Sequence, residues 1–183
     1  MVAQDLVEQL QLSRLLVIPA AAPPHRTVDL PASVRFDLTQ RMFAGVGRIE
    51  VSDVEHDRPS PSYTIDTLQV LASRFPESRL VLVMGADQFA VIDTWKDFER
   101  LSELADIAVM RRGNEKLMNP AATEEIDYIV VDVMRIDVSS SQVRARLREK
   151  RSIRFLVPES IRQDIERAWA EHVAETPSEL AST

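Results

Sequence analysis

Residues 80–87, with the sequence Leu-Val-Leu-Val-Met-Gly-Ala-Asp, decide the fold class. The apolar run from Leu80 to Met84 is typical of a strand buried on both faces of a parallel sheet. Gly85 ends the run, because glycine lets the backbone turn sharply. Ligands of parallel α/β sheets bind beyond the carboxyl ends of the strands, which makes Gly85 and Asp87 candidate binding residues. Asp87 can bind a ribose hydroxyl; the commoner alternative is a helix-capping Asp in a strand-ending turn.

Short apolar runs and helical patterns alternate along the rest of the chain. Further strands are predicted at residues 15–18, 49–54, 107–110 and 128–131. Apolar residues at three- and four-residue spacing predict helices at 2–10, 34–42, 64–75, 95–101, 139–147 and 158–169. The alternation predicts an α/β fold with a doubly wound parallel sheet.

Local signals add detail to this outline. Thr64 and either Ser139 or Ser140 are the predicted N-caps of their helices. A proline-rich loop at residues 20–31 follows the first predicted strand and is long enough to suggest a functional role. We predict one domain over residues 1–172 and a flexible tail over 173–183, where the composition turns to Ala, Glu, Ser, Thr and Pro.

Composition excludes several classes of protein. The 183 residues contain no Cys, which rules out disulfide scaffolds, Cys-ligated zinc, iron–sulfur clusters and thiol nucleophiles. A formal net charge of −7 argues against broad binding to nucleic acid or to an anionic membrane. The four Gly cannot build a Walker A loop or a Rossmann glycine fingerprint. With no membrane-length apolar run and no signal peptide, we expect a cytoplasmic protein.

The run Ser139-Ser140-Ser141 is a candidate anion site. Small hydroxyl residues at a helix start offer backbone N–H groups, hydroxyl donors and the positive end of the helix dipole. Arg144 follows one turn later, near enough to bind a phosphate with its guanidinium fork. The alternative is an ordinary serine cap beside a solvated Arg. Elsewhere, Arg111 can be plain surface charge, and Trp95 can be a core residue. No Ser/His/Asp set, close carboxylate pair or metal-ligand spacing stands out.

Together these stretches resemble the bacterial nicotinate-nucleotide adenylyltransferases, which belong to the nucleotidyltransferase α/β-phosphodiesterase superfamily. The resemblance runs from Met1 to about His172. Its carriers are residues 16–20 (LVIPA), 23–26 (PPHR), 51–55 (VSDVE), 61–68 (PSYTIDTL), 84–87 (MGAD), 94–98 (TWKDF) and 151–158 (RSIRFLVP). Each is weak singly, but their order and spacing are specific.

The resemblance implies a Rossmann-like nucleotidyltransferase fold. It also implies adenylyl transfer from ATP to nicotinate mononucleotide, which gives deamido-NAD and pyrophosphate. Mg²⁺ would be bound to ATP, and no protein ligand is assigned to the metal. For ATP, it implies binding of the phosphates by Ser139, Ser140 and Arg144, with Arg144 as the catalytic residue, and binding in the ribose region by Gly85 and Asp87. For the mononucleotide, it implies stacking of the nicotinate ring on Trp95, backbone N–H groups near Thr64 and Lys96 for its carboxylate, and Arg111 facing its phosphate.

The chain also departs from the family pattern. Ser141 stands where the family usually has Thr, which keeps the hydroxyl, and Arg112 stands where it usually has Pro. The family begins with a strand and a G-x-F-D-P-x-H-x-G-H loop that this sequence lacks, and by position none of its three His replaces that loop. In the superfamily this strand lies in the middle of the sheet. We therefore expect unpaired edges on the strands at 15–18 and 80–84, and a natural start about 20 residues earlier.

Two other functions are compatible with the sequence. One is a non-catalytic nucleotide-binding homologue that lost the H-x-G-H loop. The other is a sister adenylyltransferase that acts on nicotinamide mononucleotide or phosphopantetheine, since only the acceptor residues around Thr64 and Trp95 separate the sisters. The sequence does not decide the oligomeric state, and a homo-oligomer is compatible with it.

Overall fold

The computed structural model describes residues 1–24, 28–56, 58, 61–113, 117 and 126–175. The described helices are α1 (Val2–Gln9), α2 (Ala32–Phe43), α3 (Thr64–Arg74), α4 (Ala86–Phe89), α5 (Leu101–Leu104), α6 (Ser140–Arg148) and α7 (Glu159–Glu175). The described strands are β1 (Leu15–Val17), β2 (Ile49–Val51), β3 (Val81–Gly85), β4 (Asp106–Arg112) and β5 (Tyr128–Val133). The helix–strand alternation predicted from the sequence is confirmed.

The described strands pair in parallel and form two sheets. In one sheet β1 pairs with β2, with Leu15 opposite Ile49. In the other sheet the order is β3-β4-β5, with Val81 opposite Asp106. The parallel α/β class is therefore confirmed. Within the described residues no ladder joins β1 to β3, so each of these strands has an edge without a paired strand, as expected from the sequence.

The three-stranded sheet is covered on both faces by apolar side chains. One face packs against α3, α4 and α5 through a buried cluster that includes Ile65, Phe89 and Val109. The other face packs against α1 through Leu6 and Val131. Successive residues of β4 alternate between the two clusters, as the side chains of a strand must. The carboxyl end of β3 is thereby fixed to the core just where Gly85 leads into α4.

Two local predictions were wrong. Residues 95–101 do not form one helix: 3₁₀ turns at Ile92–Thr94 and Phe98–Arg100 precede the short helix α5. The interruption lies at Asp97, whose φ of 50° is left-handed and cannot continue a right-handed helix. Thr64 is not an N-cap; Tyr63 holds that position, without a side-chain capping bond. The predicted cap at Ser139 is confirmed.

The C-terminal helix α7 packs against α2, and Arg41 Nη1 lies 3.7 Å from Asp164 Oδ1 between them. The helix continues to Glu175, so it enters the predicted tail, and residues 176–183 of that tail lie outside the described part of the chain. None of the described helices combines the length and apolar character that crossing a membrane requires.

Candidate functional site

Six of the predicted site residues fall into two regions of the structure, and Gly85, Asp87 and Arg111 lie outside both. We call residues 63–66 at the start of α3 together with Trp95 and Lys96 the tryptophan region. We call Ser139, Ser140, Ser141 and Arg144 at the start of α6 the serine region. Gly85 and Asp87 lie at the carboxyl end of β3, the place where parallel sheets bind ligands.

The space beside Gly85 is taken by the end of a neighbouring side chain, whereas its backbone angles are ordinary. Its φ of −76° is open to any residue. A Cβ atom at this position, however, would lie 2.5 Å from Asp87 Oδ1, well inside contact distance. The Asp87 carboxylate therefore folds back against the glycine, and its Oδ2 accepts a hydrogen bond from Gln88 Nε2 at 3.3 Å. A side chain at position 85 would therefore move the Asp87 carboxylate.

In the tryptophan region a lysine is held between a carboxylate and an aromatic ring. Lys96 Nζ donates to Asp66 Oδ1 and Oδ2 at 3.1 and 3.2 Å and lies 4.8 Å from the centre of the Tyr63 ring. Thr64 is the first residue of α3, so its N–H is one of the first-turn groups that have no partner within the helix. Trp95 is half-buried and packs against the core cluster. The structure thus brings Thr64, Trp95 and Lys96 into one neighbourhood.

A buried glutamate, Glu55, lies next to this region; it belongs to a stretch that carried the family resemblance, but the sequence assigned it no role. Glu55 is only 8% exposed. Its Oε1 accepts a hydrogen bond from the buried Thr67 hydroxyl at 2.8 Å, and its Oε2 accepts the Ala21 N–H at 3.2 Å. Arg58 extends the network, since its Nη1 donates to Thr67 Oγ1 at 3.1 Å and its Nη2 lies 3.5 Å from Asp66 Oδ2. The available signals were its place in the stretch 51–55 and its position just beyond a predicted strand.

Arg111, predicted to face a phosphate, is paired with an acid on the neighbouring strand. Its Nε and Nη2 donate to the two carboxylate oxygens of Asp132 at 2.6 and 2.9 Å, in the register that places these residues opposite each other. The hydrogen bond from the guanidinium, helped by its charge, lowers the pKa of Asp132, and the same bond raises the pKa of Arg111. Both side chains are exposed, so a ligand phosphate can reach this guanidinium.

The serine region is a capped helix start. Ser139 Oγ accepts the Gln142 N–H at 3.2 Å, and Gln142 Oε1 accepts the Ser139 N–H at 2.9 Å, which together form a capping box. The ordinary capping role therefore belongs to Ser139. Ser140 and Ser141 form the first turn, where backbone N–H groups and the helix dipole favour an anion.

Arg144 stands one turn inside α6 and is aimed at this helix start. Its Nε lies 2.8 Å from Asp29 Oδ2, and its Nη2 donates to Ser141 Oγ at 3.3 Å. The two regions also share a neighbour, because Asp29 and the Ala21 that binds Glu55 both belong to the loop at residues 20–31. His25 and Arg26 of this loop were part of the resemblance and lie outside the described residues.

A metal ion has no ready-made protein site in the described part of the chain, where no group of three His, Asp or Glu side chains is arranged to hold one.

Comparison with known sequences points to one family. The model of the cytidylyltransferase-like family matches residues 1–146. A Thermus thermophilus protein named probable nicotinate-nucleotide adenylyltransferase is 38% identical over 166 residues, which are 90% of this chain and 87% of that protein. A protein of the same name from Exiguobacterium sibiricum is 34% identical over 167 residues, covering 91% of this chain and 87% of the relative.

Solved structures share the fold. The Plasmodium falciparum nicotinic acid mononucleotide adenylyltransferase complexed with NaAD superposes with a TM-score of 0.64 at 17% identity, covering 94% of this chain and 86% of that one. The same enzyme complexed with APC gives a TM-score of 0.61 at 15% identity. At such low identity these likenesses establish the Rossmann-like nucleotidyltransferase architecture alone.

Proposed function

The chain belongs to the nicotinate-nucleotide adenylyltransferases, and from this membership we propose that it transfers the adenylyl group of ATP to nicotinate mononucleotide, a step of NAD biosynthesis. The observation that carries the proposal is the 38% identity to such a protein over 90% of this chain. The geometry is compatible with it, because Thr64, Trp95 and Lys96 lie close to one another near the start of α3, while Ser139, Ser140 and Arg144 lie together at the start of α6. The cytoplasmic location expected from the sequence is part of the same proposal.

The reaction is a direct displacement at phosphorus. A phosphate oxygen of the mononucleotide attacks the α-phosphorus of ATP, and the bond from that phosphorus to the bridging oxygen breaks. The products are deamido-NAD and pyrophosphate. Such transfer depends on alignment of the reactants and on neutralisation of charge rather than on a protein nucleophile. This agrees with a sequence in which no nucleophile–base set stands out.

The tryptophan region would bind the mononucleotide. The Trp95 ring offers a flat apolar face for the nicotinate ring, and the N–H groups near Thr64 and Lys96 suit its carboxylate. The Asp66 carboxylate neutralises the Lys96 ammonium without removing these backbone donors. Arg111 would bind the mononucleotide phosphate with the part of its guanidinium that faces away from Asp132.

The serine region would bind ATP. Ser140, the first-turn N–H groups of α6 and Arg144 suit the phosphate oxygens, and Asp87 beside Gly85 suits a ribose hydroxyl. Ser139 contributes by holding the helix start in place through its capping box. Mg²⁺, the divalent cation expected with ATP, would enter as the nucleotide complex and neutralise phosphate charge. Arg144 is the residue closest to a catalytic role, since it can stabilise the charge that develops on the transferred and leaving phosphates.

Pyrophosphate release from ATP tests the activity, with three acceptors measured in parallel: nicotinate mononucleotide, nicotinamide mononucleotide and phosphopantetheine. We expect release with nicotinate mononucleotide and at least about tenfold less with its amide, because the amide lacks the charge that the helix-start N–H groups favour. Preference for another acceptor would assign the chain to a sister enzyme. ATP binding without release from any acceptor would make it a non-catalytic nucleotide-binding protein.

A further inference from the structure

Asp29 lies in the loop before α2, far from the serine region in sequence, and its carboxylate joins two arginines of α6. Oδ2 is 2.8 Å from Arg144 Nε, and Oδ1 accepts a hydrogen bond from Arg148 Nη2 at 2.9 Å. The Asp29 side chain is 26% exposed and that of Arg144 is 35% exposed, so this contact is more sheltered than the pair Arg135–Asp137, at 69% and 76%. We propose that Asp29 is a positioning residue of the ATP phosphate site.

The arginines need such a link because they repel each other. Arg144 and Arg148 are four residues apart on one helix and therefore lie on the same face, where like charges destabilise each other. A carboxylate between them neutralises this repulsion and accepts one bond on each oxygen. Without it, the two guanidinium groups would turn away from each other into solvent.

Both sides of the link are anchored to the fold. The Arg148 guanidinium lies 5.6 Å from the centre of the ring of Trp169, a residue of α7 that is only 6% exposed. The backbone beside Asp29 is held by α2, because Arg35 Nε donates to the Leu30 carbonyl at 3.1 Å. Asp29 therefore links Arg144 to α2 through the neighbouring backbone, and to α7 through Arg148.

The contact also leaves the right part of Arg144 for a ligand. Asp29 binds Nε, while Nη2 of the same guanidinium lies at Ser141 Oγ, toward the start of the helix. The carboxylate therefore aligns Arg144 along the serine region instead of covering the end that faces it. On Arg144, Asp29 thus approaches Nε at 2.8 Å, while the terminal nitrogen Nη2 reaches Ser141.

Because Arg144 is a phosphate ligand only if the chain binds ATP as proposed, the role of Asp29 rests on the proposed function. The test is calorimetry of the full chain with ATP and, separately, with nicotinate mononucleotide. The proteins compared are the wild type, Asp29→Asn, Arg144→Ala and the double variant. Asp37→Asn is the matched control, since Asp37 contacts Arg41 on α2 at 2.9 Å and its replacement changes the net charge equally.

We expect Asp29→Asn to raise the Kd for ATP about three- to tenfold and to leave the Kd for the mononucleotide within about twofold of the wild type. In the Arg144→Ala background, Asp29→Asn should raise the Kd for ATP by less than about twofold further, because Asp29 acts through the Arg144 side chain. Asp29→Glu, which keeps the charge, should bind ATP within about threefold of the wild type. Asp37→Asn should have no effect.

Equal or tighter ATP binding by Asp29→Asn would overturn the positioning role and would make Asp29 a bystander or a competitor of phosphate. The positioning role would also be overturned if Asp29→Asn raised the Kd for ATP as much in the Arg144→Ala background as in the wild type. These outcomes leave the proposed function intact if Arg144→Ala itself weakens ATP binding. Absence of ATP binding by the wild type, or an Arg144→Ala variant that binds ATP normally, would instead overturn the proposed phosphate site and the role of Asp29 with it.

Discussion

The tryptophan and serine regions are held in place by different means. Next to the tryptophan region lies a buried carboxylate, Glu55, which accepts hydrogen bonds from the buried Thr67 hydroxyl and from the half-buried Ala21 N–H. The serine region is held by a helix cap and by the contacts of Asp29 at the surface. Removing a buried polar partner leaves unsatisfied groups in the core, whereas removing a surface ion pair costs little. Loss of the supporting carboxylate should therefore reduce protein stability in the tryptophan region, and it should reduce ligand binding in the serine region.

The largest expected effect is on stability. Glu55→Ala should lower the free energy of unfolding by about 2–3 kcal/mol, because it takes the acceptor from the Thr67 hydroxyl and the Ala21 N–H. Asp29→Ala should lower it by less than about 1 kcal/mol, because its partners remain solvated. Urea unfolding of both variants measures the difference. Equal losses would show that the two regions are not distinguished by burial.

A smaller effect is expected for Gly85→Ala, which should change the Kd for ATP but not the free energy of unfolding. Gly85→Ala suits the backbone, with its φ of −76°, but displaces the Asp87 carboxylate, 2.5 Å from the added Cβ. If Asp87 holds the ribose of ATP, the Kd for ATP should rise about tenfold while unfolding changes little. Gly47→Ala is the control, since nothing lies within 4 Å of its added Cβ. Equal Kd values for ATP in the two variants would show that Asp87 does not take part in ATP binding.

The smallest effect concerns the exposed pair Arg111–Asp132. The hydrogen bond from Arg111 lowers the pKa of Asp132 below its ordinary 3.8. The pair therefore contributes to stability above the ordinary pKa, and the contribution is lost as the pH falls through the lowered value. Titration of the Asp132 carboxyl by NMR should show the low pKa in the wild type and its return toward the ordinary range in Arg111→Ala. An unchanged pKa in that variant would mean that the pair does not persist in solution.

Local sequence was enough wherever the physical cause is local. The apolar run before Gly85 predicted the strand β3, and three consecutive serines predicted the capped start of α6. The apolar spacing in 95–101 was misleading because Asp97 adopts a left-handed φ, which Asp tolerates better than most residues but which no spacing reveals. A periodic pattern therefore identifies the residues that face the core more reliably than it identifies a helix.

The supporting residues could not be predicted, since their partners are distant in the chain. Asp29 and Arg148 are separated by 119 positions, and Glu55 is 34 residues from Ala21. Nothing about Glu55 in the sequence says that it is buried. Residue chemistry alone indicated Gly85, Asp87 and the serine-rich start of α6, and the roles of Thr64, Trp95, Lys96 and Arg111 came from the resemblance to a family. The residues that orient these groups depend on the tertiary fold.

The central claim is that one chain binds the two substrates in two separate regions, and crossed calorimetry tests it most directly. Arg144→Ala and Trp95→Ala are each titrated with ATP and with nicotinate mononucleotide, with unfolding measured alongside because Trp95 also packs against the core. Arg144→Ala should weaken ATP binding by about ten- to a hundredfold and spare the mononucleotide, and Trp95→Ala should do the reverse. The account would be contradicted if each variant weakened the binding of both ligands equally, or weakened the binding of neither.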